Sequence, residues 1–317
     1  MAMTKSDTLN YRGELFAIGQ YQTPLLTMIA ARAKRASAFV FPTSQSWSLT
    51  AASQPAITED ASATTLTPTT VSRAEVYNTA QIFQYTVSVS FKKQSTYGLM
   101  SGINTMDGNP VTDELTFQKL AQLRQMAIDM EYSFIRGTYQ AAATTGTAAK
   151  TRGIVTATST NAVAAGGNKL TKTYMNELLR TMAASGSVFQ SPIIFVNAFQ
   201  KQVLSDIYGY VPMDRNYGGL NIKTIETDFA EMGVMYYPNM PTDTVLVAEM
   251  SVIAPVFVPV SYSQETGMST NAMDGVDVLW QPTAISWASV GGFWYCQAGI
   301  DSGPETYHGK ITGLATS

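Results

Sequence analysis

Residues 112–137 read TDELTFQKLAQLRQMAIDMEYSFIRG, and this stretch decides the fold. Leu120, Leu123, Ala127, Met130 and Phe134 recur at spacings of three and four, which predicts one apolar stripe along a helix. Pro110 precedes the helix, and Thr112 is placed to cap its N-terminus. Asp113 and Glu114 stand at the positive end of its dipole, and Gly137 is placed to end it. At 1.5 Å per residue the rod would run about 37 Å, more than a compact domain usually needs. One long rod among β-rich flanks predicts a mechanical spine and not a catalytic scaffold.

The remainder of the chain must explain what such a spine supports. The chain has 317 residues, enough for one large domain or two to three subdomains. Hydrophobic residues make up 45%, enough for a real core, but charged residues only 14%, well below the usual quarter. A lone protein with so few charges would be poorly soluble, so either partners cover much of its surface or that surface is unusually rich in Thr, Ser and Gln. The net charge of −3 argues against a strongly basic nucleic-acid reader, though not against a shell that merely encloses nucleic acid. A single cysteine, Cys296, allows no intrachain disulfide. No apolar run approaches 18 residues, and no basic-then-apolar leader opens the chain, so neither a membrane span nor a signal peptide is expected.

Outward from the helix, residues 1–35 read as an arm with short helices over Tyr11–Gly19 and Leu25–Lys34 and a basic cluster of Arg32, Lys34 and Arg35. Residues 36–98 read as an extended β-hairpin. One limb holds Ala38–Phe41 and Trp47–Leu49. The other carries the cleanest alternation in the chain, with Tyr85, Val87, Val89 and Phe91 apolar between polar neighbours. Between them Ala51–Thr70, rich in Thr, Ala and Ser, has no apolar period and reads as a mobile tip. A two-stranded arm of that length is not stable alone in water and needs a neighbour. Residues 99–111 are a turn-rich link, and Tyr139–Lys150 is a second exposed loop. Residues 171–250 alternate in type: helices at Lys172–Ala184 and Phe199–Tyr208, strands at Pro192–Val196, Ile222–Thr227, Gly233–Tyr237 and Val245–Ala248. That pattern predicts a small α/β subdomain. Residues 251–317 read as strands, including Val256–Val260, Val276–Trp280, Ala284–Trp287 and Phe293–Ala298.

Candidate chemistry is sparse. The chain has one histidine and one cysteine, so a zinc site built mainly from such ligands is excluded by counting. His308 reads as a tail or interface residue, and Cys296, in the aromatic run Phe293–Tyr295, as a buried inert thiol. Asp113 and Glu114 answer to the helix dipole, Asp129 and Glu131 fall on different helix faces, and Glu59 and Asp60 lie in the loop. Turn residues Asn104, Asp107 and Asn109, or Asn271, Asp274 and Asp277, fall short of a calcium loop. No phosphate-binding, dinucleotide or serine-elbow motif is present. Trp280, Trp287 and Trp294 are spaced by seven, but Pro282 and Gly291–Gly292 forbid a continuous helix, which leaves strand positions in a core or interface. No catalytic, cofactor-binding or metal residue is therefore expected.

The order of parts resembles the major capsid proteins of tailed bacteriophages, the Hong Kong 97-type fold. Several strings are similar to the group around the Escherichia phage SU-ten capsid protein: Arg12–Leu15 with Gln22–Leu25, Asn78–Val89 (NTAQIFQYTVSV), Asp113–Leu115 with Asp129–Gly137, Arg152–Ile154, Phe195–Asn197, and His308–Leu314. The resemblance implies an α+β fold with an N-arm (1–35), an extended β-hairpin loop (36–98), a peripheral domain with the spine helix (99–170), an axial α/β domain (171–250) and a β segment returning to the peripheral domain (251–317). It implies a structural subunit, no enzyme and no cofactor, that assembles into hexamers and pentamers of an icosahedral or prolate head. Its partners would be copies of itself, a portal and double-stranded DNA enclosed without sequence-specific binding, with no membrane; separate scaffolding or decoration proteins stay open. It would be made in the host cytoplasm and reside in the virion. A tail or fibre β-protein is the alternative, although it would rarely need the spine; a hydrolase using Asp129 and Glu131 is the enzyme rival.

Overall fold

The computed structural model describes residues 23–47, 52–64, 70–95, 114–208, 214–217, 220–260, 275–283 and 288–316. In chain order the first elements are α1 (Pro24–Ile29), β1 (Lys34–Arg35), β2 (Val40–Trp47), α2 (Glu59–Ser62), β3 (Arg73–Thr79), β4 (Gln81–Ser90), α3 (Phe91–Ser95) and α4 (Glu114–Arg136). Then come α5 (Ile154–Ala157), β5 (Ala162–Ala164), α6 (Lys172–Ala184), β6 (Pro192–Val196), α7 (Ala198–Tyr208), β7 (Asp214–Tyr217), β8 (Leu220–Glu226) and β9 (Glu231–Tyr236). The chain closes with β10 (Val245–Glu249), β11 (Ala254–Phe257), β12 (Val278–Pro282), β13 (Ser289–Asp301) and β14 (Gly309–Thr312).

Helix α4 is the expected spine, continuous for 23 residues. Its burial is not the even stripe that spacing predicts. Met126, Met130, Glu131, Phe134 and Ile135 are buried, while Leu120 is 61% exposed. Only the C-terminal half lies in the core; beside the N-terminal half, Trp294 of β13 donates its indole N–H to the Lys119 carbonyl at 3.0 Å. Thr112 and Asp113 lie outside the described residues.

The cleanly alternating strand forms a different pair from the one expected. β4 runs antiparallel to β13, from Gln81 opposite Ala298 to Ser90 opposite Ser289, and its apolar face lies under α4. The second limb of the hairpin is instead β3, paired with β2 from Val40 opposite Thr79 to Trp47 opposite Arg73, with a bulge at Pro42–Ser44. Alternation reports that one face of a strand is buried, not which strand lies beside it. β4 needed a core-facing partner, and β13 supplies one. The hairpin is therefore the ribbon from about residue 40 to 79, not 36 to 98.

β13 organises the first sheet. Along one edge it carries β4; along the other it pairs first with β12 (Gly292–Cys296) and then with β11 (Ala298–Asp301), to which β1 adds in parallel. The second sheet has seven strands in the order β5-β14-β10-β6-β9-β8-β7. Its central strands β6 (PIIFV) and β10 (VLVAE) are buried on both faces, as near-continuous apolar runs require. Ile193, Phe195, Leu246 and Ala248 face one core, shared with α1, α4 and β13; Ile194, Val196, Val245 and Val247 face another, under α6 and α7.

Two further expectations are corrected. β14 does not return to the first sheet: it pairs with β10 and, in parallel, with β5, so residues 309–312 and 162–164 complete the second sheet. The stretch Leu25–Lys34 is not one helix. α1 ends at Ile29, a 3-10 turn covers Ala30–Arg32, and Lys34–Arg35 is strand. Leu25, Met28 and Ile29 are buried in this chain's own core, so this part of the arm needs no neighbour to cover it. The helix expected over Tyr11–Gly19 lies outside the described residues. Within the loop read as a tip, Glu59–Ser62 form a helical turn capped by the Thr58 hydroxyl, which accepts the Ala61 N–H at 3.2 Å.

Candidate functional site

Several of the residues weighed for chemistry fasten the fold instead. Asp129 accepts the Tyr85 hydroxyl proton from β4 and, at 3.1 Å, the Gln125 amide. Glu131, on another face of α4, is buried; its Oε1 accepts the N–H of Leu25 at 3.1 Å and its Oε2 that of Leu26 at 3.0 Å. These are unsatisfied donors of the first turn of α1, so a spine carboxylate caps a helix more than a hundred residues away in sequence. Burial pushes the Glu131 carboxyl up to about 8, and the two N–H groups pull it the other way. The two carboxylates share no reaction space.

Cys296 is buried in β13, and burial raises its thiol to about 12, so no thiolate is available at neutral pH. His308 is a core residue, not a tail residue. Its Nδ1 accepts the Glu249 N–H at 3.2 Å, and its Nε2 lies 2.6 Å from the Ser302 carbonyl oxygen. Glu59 and Asp60 occupy the exposed turn α2, and Glu114 accepts from Gln118 at 2.8 Å. Asn104, Asp107, Asn109, Asn271 and Asp274 lie outside the described residues, and Asp277 is paired with Arg35 at 3.0 Å. Among the described residues no three His, Cys, Asp or Glu side chains are grouped to hold a metal ion. No helix among them is long and apolar enough to cross a membrane. Trp280 and Trp294 face each other across β12 and β13 with centroids 5.0 Å apart, and Lys119 lies over the Trp280 ring.

What stands out is a surface. The ribbon β2–β3 and its loop expose Phe39, Val40, Trp47, Ile57, Val71, Val76 and Tyr77, with Trp47 and Ile57 each 61% exposed. Solitary exposed apolar residues are ordinary; here seven are gathered on one two-stranded ribbon and the segments flanking it. At its base the ribbon is fixed firmly. Asn78 is buried and donates to the carbonyls of Ile300 (2.8 Å) and Arg152 (3.1 Å), while its Oδ1 accepts the N–H of Arg152 at 2.8 Å and of Thr79 at 2.9 Å. The Phe41 ring packs with Ala80, Val256 and Val258. The ribbon thus stands on a fastened foot and carries exposed apolar side chains along its length.

Sequence reasoning found the ribbon as a class of element but not its foot. Asn78 and Glu131 are single buried polar residues that follow no period; only membership of a longer recognised string marks them.

A family model described as the SU10 major capsid protein matches residues 2–315. The chain belongs to the SU10 major capsid protein family. It is a capsid shell protein, which works as many copies in a virion. Solved structures share its fold at low identity. The Cyanophage A-1(L) capsid protein has a TM-score of 0.64 at 12% identity, covering 99% of each chain. The capsid of a native GTA particle has a TM-score of 0.61 at 11% identity, over 98% of this chain and 95% of that one. The SrpI encapsulin of Synechococcus elongatus PCC 7942 has a TM-score of 0.56 at 11% identity, over 95% and 94%. No curated protein matches the chain. The capsid protein thus has the Hong Kong 97-type fold that the order of its parts implies.

Proposed function

We propose that the capsid protein meets its own copies as hexamers and pentamers, closing a head shell around packaged double-stranded DNA, and that the ribbon β2–β3 is the element laid over the neighbouring copy. The observation that carries this reading is the apolar row from Phe39 to Tyr77 standing on a fixed foot. Each such side chain, already about half covered, gains on the order of 1 kcal/mol when fully covered, and the gain repeats at every contact of a closed shell. The first sheet with α4 would form the peripheral body and the seven-stranded sheet with α6 and α7 the axial body at each symmetry axis. A net charge of −3 suits a wall that encloses DNA without gripping it. Its work is mechanical, with a portal as a further partner and synthesis in the host cytoplasm before incorporation into the virion.

Electron microscopy of the purified chain tests the reading, wild type beside a deletion of Ala52–Pro68. Wild-type shells, tubes or capsomers are expected, with folded subunits but no closed shells from the deletion. Normal shells from the deleted chain would sink the overlap role.

A further inference from the structure

Two connections join the sheets in the C-terminal half of the chain. Met250–Ile253 leads from β10 to β11, and Ser302–His308 leads from β13 to β14. The only histidine of the chain ties both. His308 is fully buried; its Nδ1 accepts the N–H of Glu249, the residue just before the first connection, and its Nε2 meets the carbonyl of Ser302, the first residue of the second. Only the neutral imidazole carrying its proton on Nε2 satisfies both contacts at once.

The surroundings are built around this point. The Glu249 carboxylate accepts three backbone N–H groups, from Gln190 (3.0 Å), Ser191 (2.9 Å) and Ser251 (3.2 Å). Asp301 accepts the Gly303 N–H at 3.0 Å and holds Lys34 of β1 at 2.7 Å. Arg32 donates to the Met250 carbonyl. Gly303 has φ +67°, and a Cβ there would lie 2.9 Å from Val252, so the two connections pack directly on each other. The charged groups about the imidazole are therefore Glu249 from β10, Asp301 with Lys34 at the end of β13, Arg32 beyond α1, and Glu305 within the second connection. Glu305 is occupied by the hydroxyls of Ser159 and Thr160, both at 2.7 Å.

A second proton on the ring would go to Nδ1, where it would point at the Glu249 N–H, donor against donor. Burial holds the imidazole below its ordinary range, while the Ser302 carbonyl and the Glu249 carboxylate pull the other way. The contact is consequently stable at neutral pH and is lost as pH falls below the ordinary histidine range towards the lowered folded value.

We propose that His308 is an acid-released pin: neutral, it locks the two connections together and sets one sheet against the other; protonated, it frees them and lets the sheets shift. None of His308, Glu249 and Ser302 belongs to the ribbon, so the pin stands whether or not the ribbon overlaps a neighbour.

Hydrogen exchange of the full chain, followed by mass spectrometry at about pH 7.5 and about pH 5 and corrected for intrinsic rates, reads the pin directly. Peptides covering residues 245–257 and 298–312 are expected to exchange about tenfold faster at the lower pH, the effect of losing one buried hydrogen bond, while α6 stays protected. In His308→Gln that acid increment should vanish. The same increment in the variant, or none in the wild type, overturns the proposal. If the variant does not fold, NMR titration of the single imidazole in the wild type decides: its midpoint must coincide with that of the exchange change, and separate midpoints overturn the pin.

Discussion

Gly299→Ala tests how the ribbon is aimed. Gly299 lies in β13 opposite Val256, where the foot of the ribbon crosses the sheet. A Cβ built there would fall 2.8 Å and 2.9 Å from Cζ and Cε1 of Phe41 and 3.0 Å from the Thr79 carbonyl oxygen. The ring can turn aside only by disturbing its packing with Ala80, Val256 and Val258. The carbonyl cannot follow easily, because Asn78 next to it is bonded on both sides. Overpacking of this kind costs about 1–3 kcal/mol. Phe41→Leu removes the ring atoms that collide, at a cost of about 1 kcal/mol for the lost volume. In the double variant the alanine methyl occupies the space the ring has left. The two costs should then fall short of their sum by about 1–2 kcal/mol, the coupling expected of residues in contact. Denaturant unfolding at one fixed protein concentration measures all four corners of the cycle. Micrographs of the same samples should show Gly299→Ala folded but poor at closing shells, with closure recovered in the double variant. A single alanine variant within about 0.5 kcal/mol of wild type, or strictly additive costs, would refute the seating of the ribbon on Gly299.

Other outcomes follow from the core. Met130→Asp should prevent folding, because it places an unpaired carboxylate among Met126, Phe134 and Phe83; soluble protein with a native circular-dichroism spectrum would contradict that placement. Glu131 gives a pH dependence of definite sign. Its folded value, about 8, lies above the ordinary 4.5, so the folded state holds the extra proton between them. Its contribution is full below about pH 4.5 and is lost as pH rises through about 8, so this part of the stability falls with rising pH. Glu131→Gln should flatten that limb of the stability curve, as followed by thermal unfolding across the range; an unchanged slope would show that the carboxyl does not carry it.

Helices, apolar strands and one limb of the exposed ribbon were legible because each repeats a signal along the chain. Lys172–Ala184 repeats an apolar face, PIIFV is apolar throughout, and one limb of the ribbon was read at Ala38–Phe41 and Trp47, while its other limb, 73–79, was not. Pairing was less legible. The alternation of Tyr85, Val87 and Val89 was real, but its partner lies more than two hundred residues away in β13, and no local pattern encodes that distance. The even stripe over α4 failed at Leu120 for a related reason: periodicity says which face is apolar, while the length of the covering sheet decides how much of that face is buried. Least legible were the fasteners. Glu131 resembles any surface glutamate until α1 brings two free N–H groups against it.

The chain uses four of its described carboxylates to fasten its elements. Glu131 holds α1 to the spine, Glu249 gathers three amides, Asp301 takes Lys34, and Asp129 takes Tyr85. Each joins elements distant in sequence, where a lost partner would strand a buried polar group at a cost of about 1–3 kcal/mol, so each resists a change in the relative setting of its elements. Meanwhile large apolar side chains stand outward on the ribbon. A freely dissolved monomer gains nothing from that inversion and risks precipitation. A wall subunit would gain on both sides: the inner fasteners would keep its shape under load, and on the proposed overlap the outer apolar side chains would be covered by its neighbours.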